Sequence, residues 1–236
     1  MDIEANLKAT PDQETPLTLA LANTDRPPAT PLGVFKVARK FWIEGRRIGI
    51  CDLAKEVGVS RVTLYRWVGS KERLIEEILW SFAKPTFDNA IKETPGTGVK
   101  HIVEVHRRFM NDLAGFEPMR RFILQNPTTA IRIQTNRDRW SAHSRLIAAT
   151  AAHLDEQVSH GLQLHAPTQK LAEMIVHTNG ALLYSAIIGD RAPAAIEHAC
   201  VIERLFLLGM LPDDQAPSAQ SHCTKTVPAL RRSHGW

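Results

Sequence analysis

Ten basic side chains crowd the stretch from Leu32 to Arg73: Lys36, Arg39, Lys40, Arg46, Arg47, Lys55, Arg61, Arg66, Lys71 and Arg73. Only Glu44, Asp52, Glu56 and Glu72 oppose them. The local excess of six exceeds the +4 of the whole 236-residue chain, so the positive charge is concentrated here. Guanidinium and ammonium groups at this density neutralise phosphates, the interaction that supplies most non-specific nucleic-acid affinity and makes it steeply salt-dependent. Arg61, Thr63 and Arg66 stand close together within that stretch, on one short segment.

The elements that must position them can be read from Cys51 to Leu74, CDLAKEVGVSRVTLYRWVGSKERL. Leu53, Ala54 and Val57 make one apolar stripe, with Lys55 and Glu56 opposite. Gly58 then ends the helix, because glycine enters the left-handed region without steric cost. Val59 packs inward and Ser60 caps a second helix, to which Val62, Leu64, Tyr65 and Val68 give apolar surface. Arg61, Thr63 and Arg66 remain near its outward, N-terminal side. Gly69 ends that helix and Ser70 caps another, although Arg73 occupies the place where a capping box needs Glu or Gln. At the start of the unit Gly49 is a tolerable cap, and Asp52 suits the positive end of the helix dipole. Two short helices joined by a Gly-centred turn form a helix-turn-helix, whose second helix offers its first residues to the DNA major groove. The rival reading, a helical hairpin with a solvated charged face, explains the charge but not its agreement with turn, cap and spacing.

GVSRVTLYRWVGSKERL resembles the helix-turn-helix of the TetR family of bacterial repressors, whose hallmark has the form GVS-x-x-T-L-Y-x-x-F-x-S-K-x-x-L. The resemblance covers residues 33–80, and Val34 to Ile43 is similar to the family's first helix. Trp67-Val68 departs from the usual pair ending in Phe, and Gly49 stands where Ser or Thr usually caps. The resemblance implies that Thr63 and Tyr65 touch phosphate or a thymine methyl, and that Lys71 grips backbone phosphate at the start of the fourth helix. Arg61 and Arg66 are candidates for base-edge or phosphate contact, since arginine pairs bidentately with guanine. A core position for the Tyr65 ring is an equal alternative, and Trp67 is read as packing.

The expected organisation is a flexible N-terminal arm (1–31), a helix-turn-helix DNA-binding domain (32–83), a ligand-binding and dimerisation domain (84–211) and a disordered tail (212–236). The arm is acidic and broken by Pro11, Pro16, Pro27, Pro28 and Pro31, unlike a signal peptide or a basic minor-groove arm. With 44% hydrophobic residues the composition is that of a globular chain, and no unbroken apolar run approaches the ~18 residues of a membrane span. Cys51, Cys200 and Cys223 lie far apart, as reduced thiols in a cytoplasm would. The fold class is all-α. Helices are expected from Ser70 to Pro85, Val99 to Leu113, Pro118 to Asn126, Thr128 to Ser159 with an interruption near Asn136, Pro167 to Ile188, and Pro193 to Met210.

The last two helices are apolar on most sides and so must be buried on most sides. A two-fold homodimer with a four-helix interface answers that need, and a larger monomeric core is the alternative. A bundle of this size leaves room for a small-molecule cavity, with candidate lining from Phe109, Met110, Phe116, Phe122, Trp140, Met174, Asn179 and Tyr184. An amide such as Asn179 on an apolar helix must find a partner in the protein or in a ligand. His101, His106, His143, His153, His160, His165 and His177 lack the spacing of a metal site; His106, His143 and His177 are read as satisfied core residues, and neither metal nor cofactor is expected. Arg121 to Pro127, with Asn179-Gly180 and Tyr184, is similar to the QsdR-type branch of TetR regulators, which implies an alkyl lactone as effector. The resulting expectation is a ligand-responsive repressor on a palindromic operator, not an enzyme. Alternatives are an all-helical enzyme with an incidental helix-turn-helix, for which DDxxD, HExxH and nucleophile motifs are lacking, and a non-regulatory DNA-binding module, for which the second domain is too large.

Overall fold

A computed structural model describes residues 29–209, and among these it contains ten α-helices and no strand. The expected arm falls outside the described residues except for its last positions, and the tail lies wholly outside them. Thr30 caps α1 (Pro31–Ile43), accepting the Gly33 N–H at 3.0 Å, with Pro31 in the first turn where its missing donor costs nothing. The turn after α2 (Ile50–Val57) is made by Gly58 at φ +77°, whose N–H returns to the Ala54 carbonyl. Ser60 caps α3 (Arg61–Val68) by accepting the Thr63 N–H, and Ser70 caps α4 (Lys71–Glu93) by accepting that of Arg73, each at 3.0 Å. Val34, Ala38, Phe41, Leu53, Leu64 and Leu74 close the core of this head.

Six helices build the body: α5 (Gly98–Gly115), α6 (Glu117–Gln125), α7 (Pro127–Gln134), α8 (Ala142–Ser159), α9 (Thr168–Ile188) and α10 (Ala192–Leu208). α9 packs between α8 and α10, while α5 joins α4 to α10. The α5 N-terminus takes its hydrogen bond from across the bundle, the Gly98 N–H donating to the Gln157 side chain of α8 at 2.9 Å.

α4 does not end at Pro85; it continues to Glu93. Pro85 is exposed, and the turns beyond it bury Phe87 and Ala90 against Val105 and Phe109 of α5. The interruption near Asn136 is a full loop. Asn136 Oδ1 accepts the Asp138 N–H, Asp138 Oδ1 accepts the Trp140 N–H, and Ser141 then caps α8. These side chains offer the backbone partners that helix continuation would otherwise supply.

By length and composition α9 could cross a membrane, with a mean hydropathy of 1.3. Gln169, Lys170, Glu173, His177 and Asn179 break its apolar run. One face is core, with Leu171, Ile175, Leu183 and Ile187 buried. The other carries Ala181 and Ile188 in the open.

Burial pushes the His143 imidazole down from 6.5 to about 4, with the charges of His177 and Arg137 acting in the same direction. Burial also lowers His153, helped by His106 and His101. The unfolded chain therefore binds protons before the folded one does, and stability falls as pH drops from about 6.5 towards 4. Thermal melts should show a midpoint that is flat above neutrality and declines through that window. His143→Gln should shallow the decline; an unchanged slope would assign it to other groups.

Candidate nucleic-acid interface and ligand cavity

Leu64 is the one fully buried residue of α3, so the helix presents most of its surface outward. Arg61 and Arg66 are exposed, and Tyr65 is 49% exposed rather than core. Thr63 is half-buried and its hydroxyl shares a hydrogen bond with Ser60 at 2.9 Å, which steadies the first turn. Lys71 lies half-buried in the first turn of α4, on the far side of the Gly69 turn (φ +75°). Trp67 is half-buried packing.

Val62 corrects its sequence reading. Counted there as apolar packing surface, it is 78% exposed. Two helical steps from Leu64 carry it about 200° round the axis, to the face shared with Tyr65 and Arg66. The helical spacing alone held that signal. Together Arg61, Val62, Tyr65 and Arg66 form a surface able to meet base edges, a methyl group and phosphates at once.

Head and body meet at an aromatic knuckle. Trp42 of α1 lies against Phe82 of α4 (ring centroids 5.3 Å apart), Phe116 (5.9 Å) and Phe122 of α6 (6.1 Å). Beside it Arg121 donates to the Ile43 carbonyl at the end of α1, at 2.7 Å. The approach is close because residue 45 is glycine: at φ +74° any Cβ there would lie 2.7 Å from Arg121 Nε. Arg121, Arg46, Arg47 and Lys71 line a cleft of about 340 Å³ between head and α6.

The body holds a partly open, mostly apolar cavity of about 90 Å³, lined from α4 to α9. Of the eight expected lining residues it receives Phe109, Met110, Asn179 and Tyr184. The other four lie elsewhere. Phe116 and Phe122 are spent on the Trp42 knuckle. Trp140 sits 48% exposed in the loop before α8, under Arg139. Met174 borders a shallow depression with His177 and Phe206. Helical spacing marks these side chains as apolar but cannot say which of two neighbouring spaces they fill.

The cavity's polar groups include several that the sequence reading passed over. His106 Nδ1 is 2.6 Å from Glu203 Oε1, and Asn179 Nδ2 donates to Glu203 Oε2 at 3.2 Å. Glu203, on α10, is 1% exposed. Among the described residues His106 Nε2, His143 Nε2, Thr150 Oγ1 and Asn179 Oδ1 are buried without a hydrogen-bond partner, and all four residues line the cavity. His106 is therefore a core histidine bonded through one ring nitrogen, and His143 a buried one whose Nε2 has no partner among the described residues. Burial pushes the Tyr184 phenol up to about 12 and the Cys200 thiol to about 11, so both stay protonated at neutral pH. Gly180 lets Gln134 reach α9 at the cavity wall, where a Cβ would collide with the Gln134 amide.

Residues 97–207 match the family model described as "Tetracyclin repressor-like, C-terminal domain". Among solved structures, the chain is similar to the transcriptional repressor QsdR of R. erythropolis, from the TetR family, at 27% identity and a TM-score of 0.69, covering 75% of this chain and 93% of that one. A TetR-family regulator from Pectobacterium atrosepticum aligns at 18% identity and a TM-score of 0.56, over 77% and 93%. Bacillus subtilis FadR, a transcriptional regulator in complex with stearoyl-CoA, shares the fold at 15% identity and a TM-score of 0.51, over 77% of this chain and all of that one, 100%. No curated protein matches the chain in sequence. A helix-turn-helix head thus precedes a domain that matches the tetracycline-repressor-like C-terminal family model, in a chain similar to the TetR-family repressor QsdR.

Proposed function

We propose that the protein is a TetR-family transcriptional regulator, a ligand-responsive, cytoplasmic repressor that binds a palindromic operator as a homodimer and leaves it when a small, mostly apolar effector enters the cavity. The observation that carries the reading is the joint presence of an outward, basic recognition helix and a mostly apolar cavity whose walls include helices of the hinge. Leu79 and Ala83 of α4 and Met119 of α6 line the cavity. The same α4 begins at Lys71, and the same α6 holds the head through Arg121 and Phe122. An effector that prefers one setting of these helices shifts the head in proportion to its differential affinity for the two states. An alkyl lactone is the effector that the QsdR-type resemblance suggests.

Support for the homodimer comes from two unpaired seams. On α9, positions 174, 178, 181, 185 and 188 alternate by four and three residues, and so do 194, 198, 201, 205 and 208 on α10. Ile188, Val201, Leu205 and Leu208 are exposed there, Val201 by 60% and Leu208 by 64%. That spacing is the seam of a helix bundle, and two copies would close it as four helices. A dimer also provides the two heads needed for half-sites about 34 Å apart.

Selection from random duplexes should return a palindrome, with affinity falling steeply in salt. Lys71→Ala should weaken binding on all sequences and reduce the salt slope by about one. Tyr65→Ala should also abolish retardation of the selected duplex while the dimer persists. Unchanged affinity in both variants, or no binding by the native protein at low salt, would remove the DNA assignment. Val201→Asp with Leu205→Asp should yield monomers by light scattering and lose the palindrome's advantage over a single half-site. A variant that stays dimeric would refute the seam.

A further inference from the structure

We infer that the cleft between the head and α6 is a second binding site, separate from the apolar cavity, and that it takes a small organic phosphate monoester. The inference stands on the cleft alone and holds whatever the cavity binds.

Arg46, Arg47, Lys71 and Arg121 line this cleft of about 340 Å³, and among the described residues no carboxylate does. Like charges gathered in one concavity repel one another, and an anion between them removes that repulsion. The acids paired with two of the four offset little of it. Glu44 is 3.8 Å from Arg46 and is shared with Lys40 at 3.8 Å, and Glu117 is 3.9 Å from Arg121. Both carboxylates are exposed to solvent, and exposed pairs at the limit of contact contribute little. Arg47 and Lys71 have no ion pair or hydrogen bond among the described residues. Arg121 is held in place: it donates to the Ile43 carbonyl at 2.7 Å, and its guanidinium lies against Gly45, where a Cβ would sit 2.7 Å from Nε. Gly45 lines the cleft as well, so this guanidinium stands in the cleft wall with N–H groups to spare.

Charge selects the class of ligand. A phosphate diester of a nucleic-acid backbone carries a single negative charge, whereas a monoester carries about two at neutral pH. Two cations without partners and two that are loosely shared match the higher charge, and guanidinium forks fit the oxygens of a phosphate. The rest of the wall includes Trp42, Ile48, Ile75 and Phe122, an apolar surface for the organic part. A duplex is the rival source of phosphate, because Lys71 also belongs to the proposed DNA contact. Against it, the outward side chains of α3, Arg61, Tyr65 and Arg66, lie outside the cleft, whose walls come from both head and body. A small anion held there bridges the two, with Arg47 and Lys71 on one side and Arg121 on the other.

The test is calorimetry on the whole native protein at low salt, without DNA, using phenyl phosphate, methyl phenyl phosphate and inorganic phosphate. Phenyl phosphate should bind about ten-fold or more tightly than the methylated diester, which lacks one charge, and more tightly than inorganic phosphate, which lacks the ring. Arg47→Ala, at an exposed position, should weaken phenyl phosphate by about ten-fold. Arg61→Ala with Arg66→Ala should leave that affinity unchanged although DNA binding falls. The inference is overturned if phenyl phosphate does not bind, if it binds no tighter than either other probe, or if both sets of variants weaken it equally, which would mean general surface charge. Duplex binding that depends on Arg47 in a protein that ignores phenyl phosphate would assign the cleft to the DNA backbone and likewise overturn it. DNA binding is scored on its own. Phenyl phosphate held at the cleft upholds the inference even where no duplex is retained, and a retained palindrome without phenyl phosphate binding upholds only the repressor reading.

Discussion

A carboxyl group in the centre of a helical bundle constrains everything near it. Glu203 is almost fully buried on α10, and its two oxygens can be satisfied only by groups brought from other helices: His106 from α5 and Asn179 from α9. The three helices are thereby locked in register around one point, since sliding any of them would strand a buried charge or amide. The same lock orients the polar pole of the cavity. Both partners also line the cavity, so the interaction that secures the bundle sits in its wall.

With α10 fixed by its inner face, its outer face is free for other work. Leu207 and Ala199 point into the core while Val201, Leu205 and Leu208 do not. A helix apolar on both sides makes sense once the two sides have separate partners, which is the basis of the proposed dimer. At the opposite end of the body the Trp42 knuckle and the bond from Arg121 to Ile43 give the head a defined seat. α4 and α6 each touch both the cavity and that seat, so a change in one has a short packed route to the other.

Much of this was legible in the chain. Gly58, Ser60, Gly69 and Ser70 act in the fold as their types and spacing promise, because caps and left-handed turns are decided within four or five residues. The cavity was legible only by half. Phe109, Met110, Asn179 and Tyr184 line it, while Phe116, Phe122, Trp140 and Met174 do not, because an apolar side chain obeys burial without specifying where. His106 was taken for a satisfied core residue, and Glu203 drew no notice. A Glu within an apolar helix resembles a solvated position until the helices around it are known.

Local chemistry thus determined the helical class, the turn-and-cap grammar of the head and its concentration of positive charge. Those properties depend on neighbours along the chain, and the periodicity that carries them is written in one dimension. Tertiary structure alone decided that α4 survives Pro85, that Val62 faces outward in the open, and that a carboxyl group 97 residues from His106 sits 2.6 Å from its ring. Each of these depends on what a neighbouring helix offers or withholds: a surface to bury Phe87 and Ala90, empty space beside a valine, a partner for a buried carboxyl group. No spacing along a single segment encodes those.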